Sequence, residues 1–260
     1  MKSLIIGYGS TGRSFEQYLI KNSVLFDIFD EDRTKVPGEK ILNNLSSATI
    51  LGYEKLYISP GINLKKYFSA NEIENLVYET DLDIFFEINK SIKIGVTGTN
   101  GKSTFVNYLN QALNLASSSI ALGNIGEPLL DQIEHDKKYS VIEVSSFQLE
   151  KMKKNDFDFS FITNIQRDHI DFHGDFEAYK KMKLKICSAR GQTIFCQNDE
   201  YKELASNFVK KLESYVVEKE IKFIDLPFRL QKVSKKFIND SKSTNSSSLF
   251  YALNKLDFKG

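Results

Sequence analysis

A chain of 260 residues has room for one large domain or two modest ones, and not for three complete ones. Its 35 basic and 34 acidic residues leave a net charge of +1, which excludes an overall field able to hold nucleic acid or dock on an anionic membrane. With 41% hydrophobic residues and no apolar run near the roughly 18 residues that a spanning helix needs, a core-forming, cytoplasmic chain with no membrane span is expected.

From the first residue to about position 225, short β-rich runs alternate with helix-length segments, the rhythm of parallel α/β architecture. Strands are predicted at 3–6, 24–29 and 55–59. The first runs into Gly7-Tyr8-Gly9-Ser10-Thr11-Gly12, a G-x-G-x-x-G at a strand-to-helix turn, where glycines let ligand phosphates approach backbone N–H groups. Asp30 then falls where a ribose-binding carboxylate of a dinucleotide site would stand, although a tight helix-packing turn explains the glycines equally simply. A polar triplet at 89–91 marks a domain boundary.

A strand at 92–96 then leads into Thr97-Gly98-Thr99-Asn100-Gly101-Lys102-Ser103-Thr104 and a helix predicted at 104–115. Successive N–H groups in such a loop form an anion nest, Lys102 can neutralise β/γ-phosphates, and the Ser103 hydroxyl can join a Mg²⁺ shell. Val96 stands where the common Walker pattern has glycine, yet a Lys-Ser pair after Gly-x-x-Gly has no good structural explanation. A plain NAD oxidoreductase needs no second loop, and a plain ATPase needs no first one.

Strands predicted at 119–122, 140–144 and 159–163 each run into polar strings, at the strand ends where open α/β sheets bind ligands. These are Gly123-Asn124-Ile125-Gly126, then Glu143 with Ser145 to Glu150, then Asn164 to His173. A helix at 176–188 carries Tyr179 and Lys183 one turn apart, and a last strand is predicted at 193–196. Oxygen and imidazole groups beside a triphosphate loop suit one or two Mg²⁺ ions. Interleaved carboxylates make His169 and His173 a poor zinc pair. His135 sits among charges and is expected on the solvated surface, whereas Cys187 and Cys196 are expected to pack as small hydrophobes. Beyond about 225 the sequence predicts a hairpin, 230–233 with 236–238, and one helix at about 245–256.

These strings together resemble the Mur ligases of peptidoglycan synthesis, ATP-dependent amide-forming enzymes. The discriminating ones, Ser59-Pro60-Gly61-Ile62, Gly123-Asn124-Ile125-Gly126, E-V-S-S-F-Q-L-E at 143–150 and N-D-S-K-S-T-N at 239–245, are similar to those of the members that add D-glutamate to UDP-N-acetylmuramoyl-L-alanine. The resemblance implies a Rossmann-like UDP-sugar-binding domain (1–90), a P-loop-type parallel-sheet ATPase domain (91–226), and the opening of an incomplete Rossmann-like third domain (227–260). It further implies ATP and Mg²⁺ as cofactors, a monomeric state, and an acyl phosphate that the amine of D-glutamate attacks.

Carried onto this chain, it implies catalytic Lys102, Glu143, His169 and Lys183. ATP contacts would come from Thr99 through Thr104 (Thr99, Asn100, Gly101, Lys102, Ser103, Thr104) and from Arg229 and Asp240. Ser10, Thr11, Ser59 and Asn124 would touch the UDP-sugar, and Lys242 and Thr244 would lie near phosphate and D-glutamate. Ser103, Glu143, His169 and a carbamylated Lys183 would hold metal. The segment 198–226 lacks the family's asparagine-bearing adenine helix, and phenylalanine replaces histidine in Leu226-Pro227-Phe228-Arg229. A truncated relative that binds without turnover, and an NAD oxidoreductase using the first glycine loop, are the competing expectations.

Overall fold

The structure is a computed structural model that describes residues 2–188, 190–196, 200–214, 221–234, 237–243 and 245–256. β1 (Ser3–Ile6), β2 (Phe26–Phe29) and β3 (Lys55–Ile58) form a parallel sheet in the order β2-β1-β3, with Ser3 opposite both Phe26 and Lys55. α1 (Ser10–Lys21) makes the crossover from β1 to β2 and buries Phe15 and Leu19 against Ile28 and Tyr57. The second strand starts at Phe26, not at 24, because the Val24 N–H still bonds Leu19 O as the helix exits and Leu25 is exposed. α2 (Ser47–Ile50) and α3 (Ala70–Asn75) both begin with reciprocal capping boxes.

α4 (Asp81–Ile88) starts at Thr80, whose hydroxyl accepts the Asp83 N–H, and buries Leu82, Phe85 and Phe86. It leads to a second parallel sheet of β4 (Ile92–Thr97), β5 (Ser119–Gly123), β6 (Tyr139–Glu143), β7 (Phe159–Ile162) and β8 (Gln192–Phe195), ordered β5-β6-β4-β7-β8. The inner strands β4, β6 and β7 are buried on both faces, which is why they read as near-continuous apolar runs, whereas the edge strand β8 is partly exposed. One face is covered by α5 (Lys102–Ala116) and α9 (Tyr201–Glu213), through a cluster that includes Val96, Phe105, Leu109, Phe161 and Phe208. On the other side lie α6 (Ser146–Lys151), α7 (Ile170–His173) and α8 (Phe176–Leu184). The helix expected over 176–188 gives way to a 3-10 turn after Leu184, where Asn155 Nδ2 bonds the carbonyls of Lys185 and Ile186, 2.8 Å each.

A single apolar cluster runs from Ile5 in the first sheet and Phe15 on α1 to Ile142 in the second sheet and Ile186 beside it. Polar ties reinforce the junction: Ser14 Oγ to Asp131 at 2.6 Å, buried Asn89 Nδ2 to Ile133 O at 2.9 Å, and Lys151 Nζ to Pro60 O at 2.7 Å. His135 corrects its expectation: it is half-buried in this junction, 2.9 Å from Ser140 Oγ with its ring 6.0 Å from that of Phe85. Cys187 and Cys196 pack against the two large clusters, and burial pushes the Cys196 thiol up to about 12. The tail forms a short antiparallel pair, β9 (Gln231–Lys232) with β10 (Ile238–Asn239), then α10 (Ser246–Lys255). The hairpin is shorter than expected, and 235–236 lie outside the described residues.

Candidate active site

The central sheet brings the ends of β6, β4 and β7 side by side, with Glu143 opposite Val96 and Thr97 opposite Ile162. β4 is followed in the chain by β5 at the sheet edge, while β6 and β7 flank it, so its carboxyl end opens at a topological switch point. The loop from Gly98 is fastened there by β7's exit. Asn164 accepts the Thr99 N–H on its backbone oxygen (2.9 Å) and the Asn100 N–H on its side chain (3.0 Å), and Thr163 Oγ1 donates to Asn100 O at 2.6 Å. Gly98 (φ +148°) has no room for a side chain, since a Cβ would come 1.9 Å from Thr163 Oγ1. Gly101, at φ +81°, caps α5 with no side-chain hydrogen bond, leaving the first N–H groups of Lys102, Ser103 and Thr104 for an anion.

The side chains of the loop divide the work. Thr99 Oγ1 donates to Gln166 O (3.1 Å) and accepts from the Gln166 N–H (2.9 Å) and the Tyr179 hydroxyl (3.0 Å), so it shapes the loop and is buried beneath it. Asn100 bonds Gln166 Oε1 and Asn245 Nδ2, both loop-positioning contacts. Lys102 folds back, its Nζ 2.7 Å from Thr99 O. Burial lowers its pKa, against the pull of Glu143 and Asp168.

Glu143 is 2% exposed. Its Oε1 accepts Asn124 Nδ2 at 2.8 Å, while Oε2 is buried with no hydrogen-bond partner. Lys183 comes up from α8, also 2% exposed, and donates to Thr97 Oγ1 at 3.1 Å, which in turn donates to Val144 O at 2.7 Å. Burial, then repulsion from Lys102, pushes the Lys183 pKa well below its usual value, against Glu143 and Asp168. The structure thus gathers Lys102, Glu143, Lys183 and Asp168 into one electrostatic cluster. His169 sits at its rim, in the left-handed region at φ 50°, half exposed and 3.8 Å from Asp168 Oδ2 with its ring 5.0 Å from that of Phe147. His173 turns inward, 3.0 Å from Ser146 Oγ.

Among the described residues no three His, Cys, Asp or Glu side chains gather into a ready-made metal site. The donor that does fit a cation is Glu143 Oε2. An unpaired buried carboxylate oxygen beside a phosphate loop suits a hard ion such as Mg²⁺, which takes few protein ligands and completes its shell with phosphate and water oxygens.

Two cavities flank this cluster. One of about 620 Å³ is walled by Asn100, Gly101 and Thr104 of the loop and α5, Tyr108 of α5, Glu200 and Tyr201 at the head of α9, and Arg229 and Tyr251 from the tail. Arg229 donates to Ser243 Oγ and Lys242 O, 3.3 Å each, and lies 3.9 Å from Asp240 Oδ1. Asp240 therefore braces Arg229 and the Leu230 N–H (2.9 Å), whereas Arg229 itself faces the cavity. The Lys242 side chain is exposed, and Thr244 lies outside the described residues.

The other cavity, about 450 Å³, opens where β1 and β3 part at the ends of the first sheet and reaches the central sheet. Ser10, Thr11, Ser59 and Asn124 all line it, with Asp30, Asp81, Ser145 and Gln148. Ser59 Oγ donates to Gly7 O (2.7 Å), and Asp30 Oδ2 accepts the Tyr8 N–H (2.6 Å), so both hold the glycine loop in shape. Asn124 belongs to this cavity and bonds Glu143, which ties the cavity to the electrostatic cluster.

Sequence reasoning missed the parts played by Thr97, Asp81, Tyr108 and Tyr201. Thr97 lay inside the loop string without a role. The tyrosines and Asp81 carry no local signal at all, because only packing brings them to the cavities.

Comparison with known proteins agrees with this architecture. The Mur ligase middle domain model matches residues 96–258. The chain is 38% identical over 192 residues to UDP-N-acetylmuramoylalanine--D-glutamate ligase of Francisella tularensis subsp. tularensis (strain WY96-3418), covering 71% of this chain and 44% of that protein. The same ligase of subsp. novicida (strain U112) gives 38% identity, with 71% and 43% covered. The chain thus spans less than half the length of these curated relatives. Among solved structures, the fold is similar to MurF ligase from Thermotoga maritima in complex with ADP (TM-score 0.56, 13% identity, 97% of this chain and 71% of that one). It is also similar to MurF from Acinetobacter baumannii (TM-score 0.51, 15% identity, 69% and 59% covered). Two parallel sheets with a phosphate loop at the central switch point, and a middle-domain match across most of the chain, place it: this chain belongs to the Mur ligase family.

Proposed function

We propose that this chain carries the nucleotide and nucleotide-sugar sites of an ATP-dependent ligase that joins D-glutamate to UDP-N-acetylmuramoyl-L-alanine in the cytoplasm. In this reading residues 1–90 bind the UDP-sugar, 91–226 bind ATP, and 227–260 begin the amino-acid side. The observation that carries it is Glu143, which bonds the sugar-side Asn124 with one oxygen and leaves the other buried and unpaired. A carboxylate bonded to the sugar side and electrostatically coupled to Lys102 of the phosphate loop suits transfer of a phosphoryl group from one ligand to the other.

A carboxylate is a poor electrophile, and moving ATP's γ-phosphoryl onto the alanyl carboxylate converts it into an acyl phosphate that an amine can attack. The amine of D-glutamate adds, a proton leaves it, and phosphate departs as the amide forms. The chain's contribution is positioning and charge neutralisation. The α5 N-terminus holds the phosphates, Lys102 swings from Thr99 O to the β/γ oxygens, and Arg229 approaches from the tail. Tyr108 and Tyr201 offer rings where the family's adenine helix is absent. Ser103, Glu143, His169 and Lys183 would hold Mg²⁺, which supplies charge neutralisation between phosphate and acceptor carboxylate. The depressed pKa of Lys183 supports its carbamylation, because a neutral amine can attack CO₂ and, on losing a proton, becomes an anionic ligand.

The test is ATP hydrolysis to ADP and phosphate that requires UDP-N-acetylmuramoyl-L-alanine, Mg²⁺ and D-glutamate together, and that Lys102→Ala abolishes. Because the chain spans less than half of its relatives' length, binding of ATP and UDP-sugar without turnover supports the second reading, a nucleotide-sugar-binding relative. Failure to bind either ligand would overturn both.

A further inference from the structure

We infer that Asp81 is a recognition residue of the nucleotide-sugar cavity, whose unpaired carboxylate oxygen accepts a neutral hydrogen-bond donor, an amide N–H or a hydroxyl, from the sugar or peptide part of the ligand. The inference rests on the proposed reading of that cavity. Asp81 opens α4 in the first half of the chain, is 4% exposed, and lines the cavity with Ser145 and Gln148 from the central sheet.

Its two oxygens differ. Oδ2 accepts Gln148 Nε2 at 3.2 Å. The orientation of that amide is set independently, since Gln148 Oε1 accepts both the N–H (3.0 Å) and the hydroxyl (3.1 Å) of Ser145, so Nε2 must face Asp81. Oδ1 is buried with no hydrogen-bond partner. Burial raises the carboxyl to about 6, with Asp83 adding to the rise; the Gln148 bond and the nearby N–H groups of Leu82 and Asp81 oppose it. At neutral pH most of the population is therefore ionised, with one oxygen unsatisfied beside an open cavity. Buried polar atoms are nearly always paired, and an exception that lines a cavity marks the place where a ligand supplies the partner. A carboxylate there attracts a donor and repels another carboxylate, so it also sets which end of the ligand can lie against α6.

Calorimetric titration of the chain with UDP and with UDP-N-acetylmuramoyl-L-alanine tests this. In Asp81→Asn, the side-chain oxygen can take the place of Oδ2 and still accept from Gln148, but an amide NH₂ then stands in the place of Oδ1 and confronts the ligand's donor. The expected result is a loss of tenfold or more in affinity for the nucleotide sugar, with UDP alone changed less than twofold. Asp81→Ser, a residue that first helical turns accommodate, should show the same split, and it covers the case in which the asparagine variant does not fold. UDP-N-acetylglucosamine and UDP-glucose assign the donor: a loss with the first alone points to the acetamido N–H, a loss with both to a hydroxyl, and a loss with neither to the alanyl amide. Unchanged affinity for UDP-N-acetylmuramoyl-L-alanine in both variants, or equal losses for UDP and the nucleotide sugar, would overturn the assignment of Asp81 alone. A wild-type chain that binds neither UDP nor the nucleotide sugar would overturn the reading of the cavity, and this inference with it.

Discussion

Replacing Gly101 by alanine tests whether the phosphate loop depends on its fit against α9. Gly101 holds φ +81° and ψ −8°, a left-handed conformation that costs a residue with a Cβ roughly 1–2 kcal/mol. The new methyl group would also stand 2.3 Å from Tyr201 Oη and 2.8 Å from two of its ring carbons. Tyr201 is buried, its ring 5.7 Å from that of Phe105, so it cannot swing away without moving the head of α9. Such overpacking adds about 1–3 kcal/mol, giving about 2–5 kcal/mol in all. At about 2–4 °C per kcal/mol for a chain of this size, the melting temperature should fall by roughly 4–20 °C. Urea denaturation would show a lower midpoint with an unchanged slope, and ATP affinity should drop at least tenfold as the α5 N–H groups shift. Adding Tyr201→Phe removes the closest contact but not the ring contacts, so the double variant should recover only part of the loss. Gly101→Ala with stability within about 0.5 kcal/mol of wild type and full ATP affinity would refute the reasoning.

Under the proposed ligase function Lys183→Met should abolish turnover, and it should leave the chain as stable as wild type or up to about 2 kcal/mol more stable, since it removes a buried amine held by one threonine hydroxyl; strong destabilisation in urea would contradict this. Asp81 gives a pH signature. Its carboxyl is raised from 3.8 to about 6, so its contribution to stability is fully present below about pH 3.8 and lost as pH rises through about 6. Asp81→Asn should therefore gain on wild type by about 2–2.5 kcal/mol between pH 4 and pH 8 in paired urea titrations, and parallel curves would rule this out. Gly95→Ala, in the middle of β4, would press a Cβ to 2.8–2.9 Å from the buried Phe157 ring. It should cost about 1–3 kcal/mol, and Phe157→Leu should relieve part of that; a neutral Gly95→Ala would mean the sheet yields more easily than its packing suggests.

What could be read from the sequence was what depends on neighbours along the chain. β1, β4 and β7 are apolar runs because both faces are covered, and their starts were placed correctly at Ser3, Ile92 and Phe159. The phosphate loop was legible because positive φ at Gly98 and Gly101 demands glycine wherever the loop is used. Less legible were element ends set by contacts from elsewhere, such as the exit of α8, where Asn155 collects two carbonyls from 30 residues away.

The site itself divides along the same line. Local strings identified Lys102, Ser103 and Glu143 as candidates, since their chemistry is carried by residue type and by position at a strand end or helix start, and the family resemblance added Lys183. The tertiary structure decided their states. Strand order sets β6 and β7 on either side of β4, and burial there leaves Glu143 with one free oxygen and lowers the Lys183 amine. It also brought Asp81, 67 residues before Gln148 in the chain, to bond it across the junction of the two sheets. Sequence by itself thus determined which groups are available, because backbone conformation and apolar patterning are local properties. Which of those groups are paired, charged or left open to a ligand was decided only by folding, because desolvation and hydrogen bonding depend on neighbours that the chain order does not reveal.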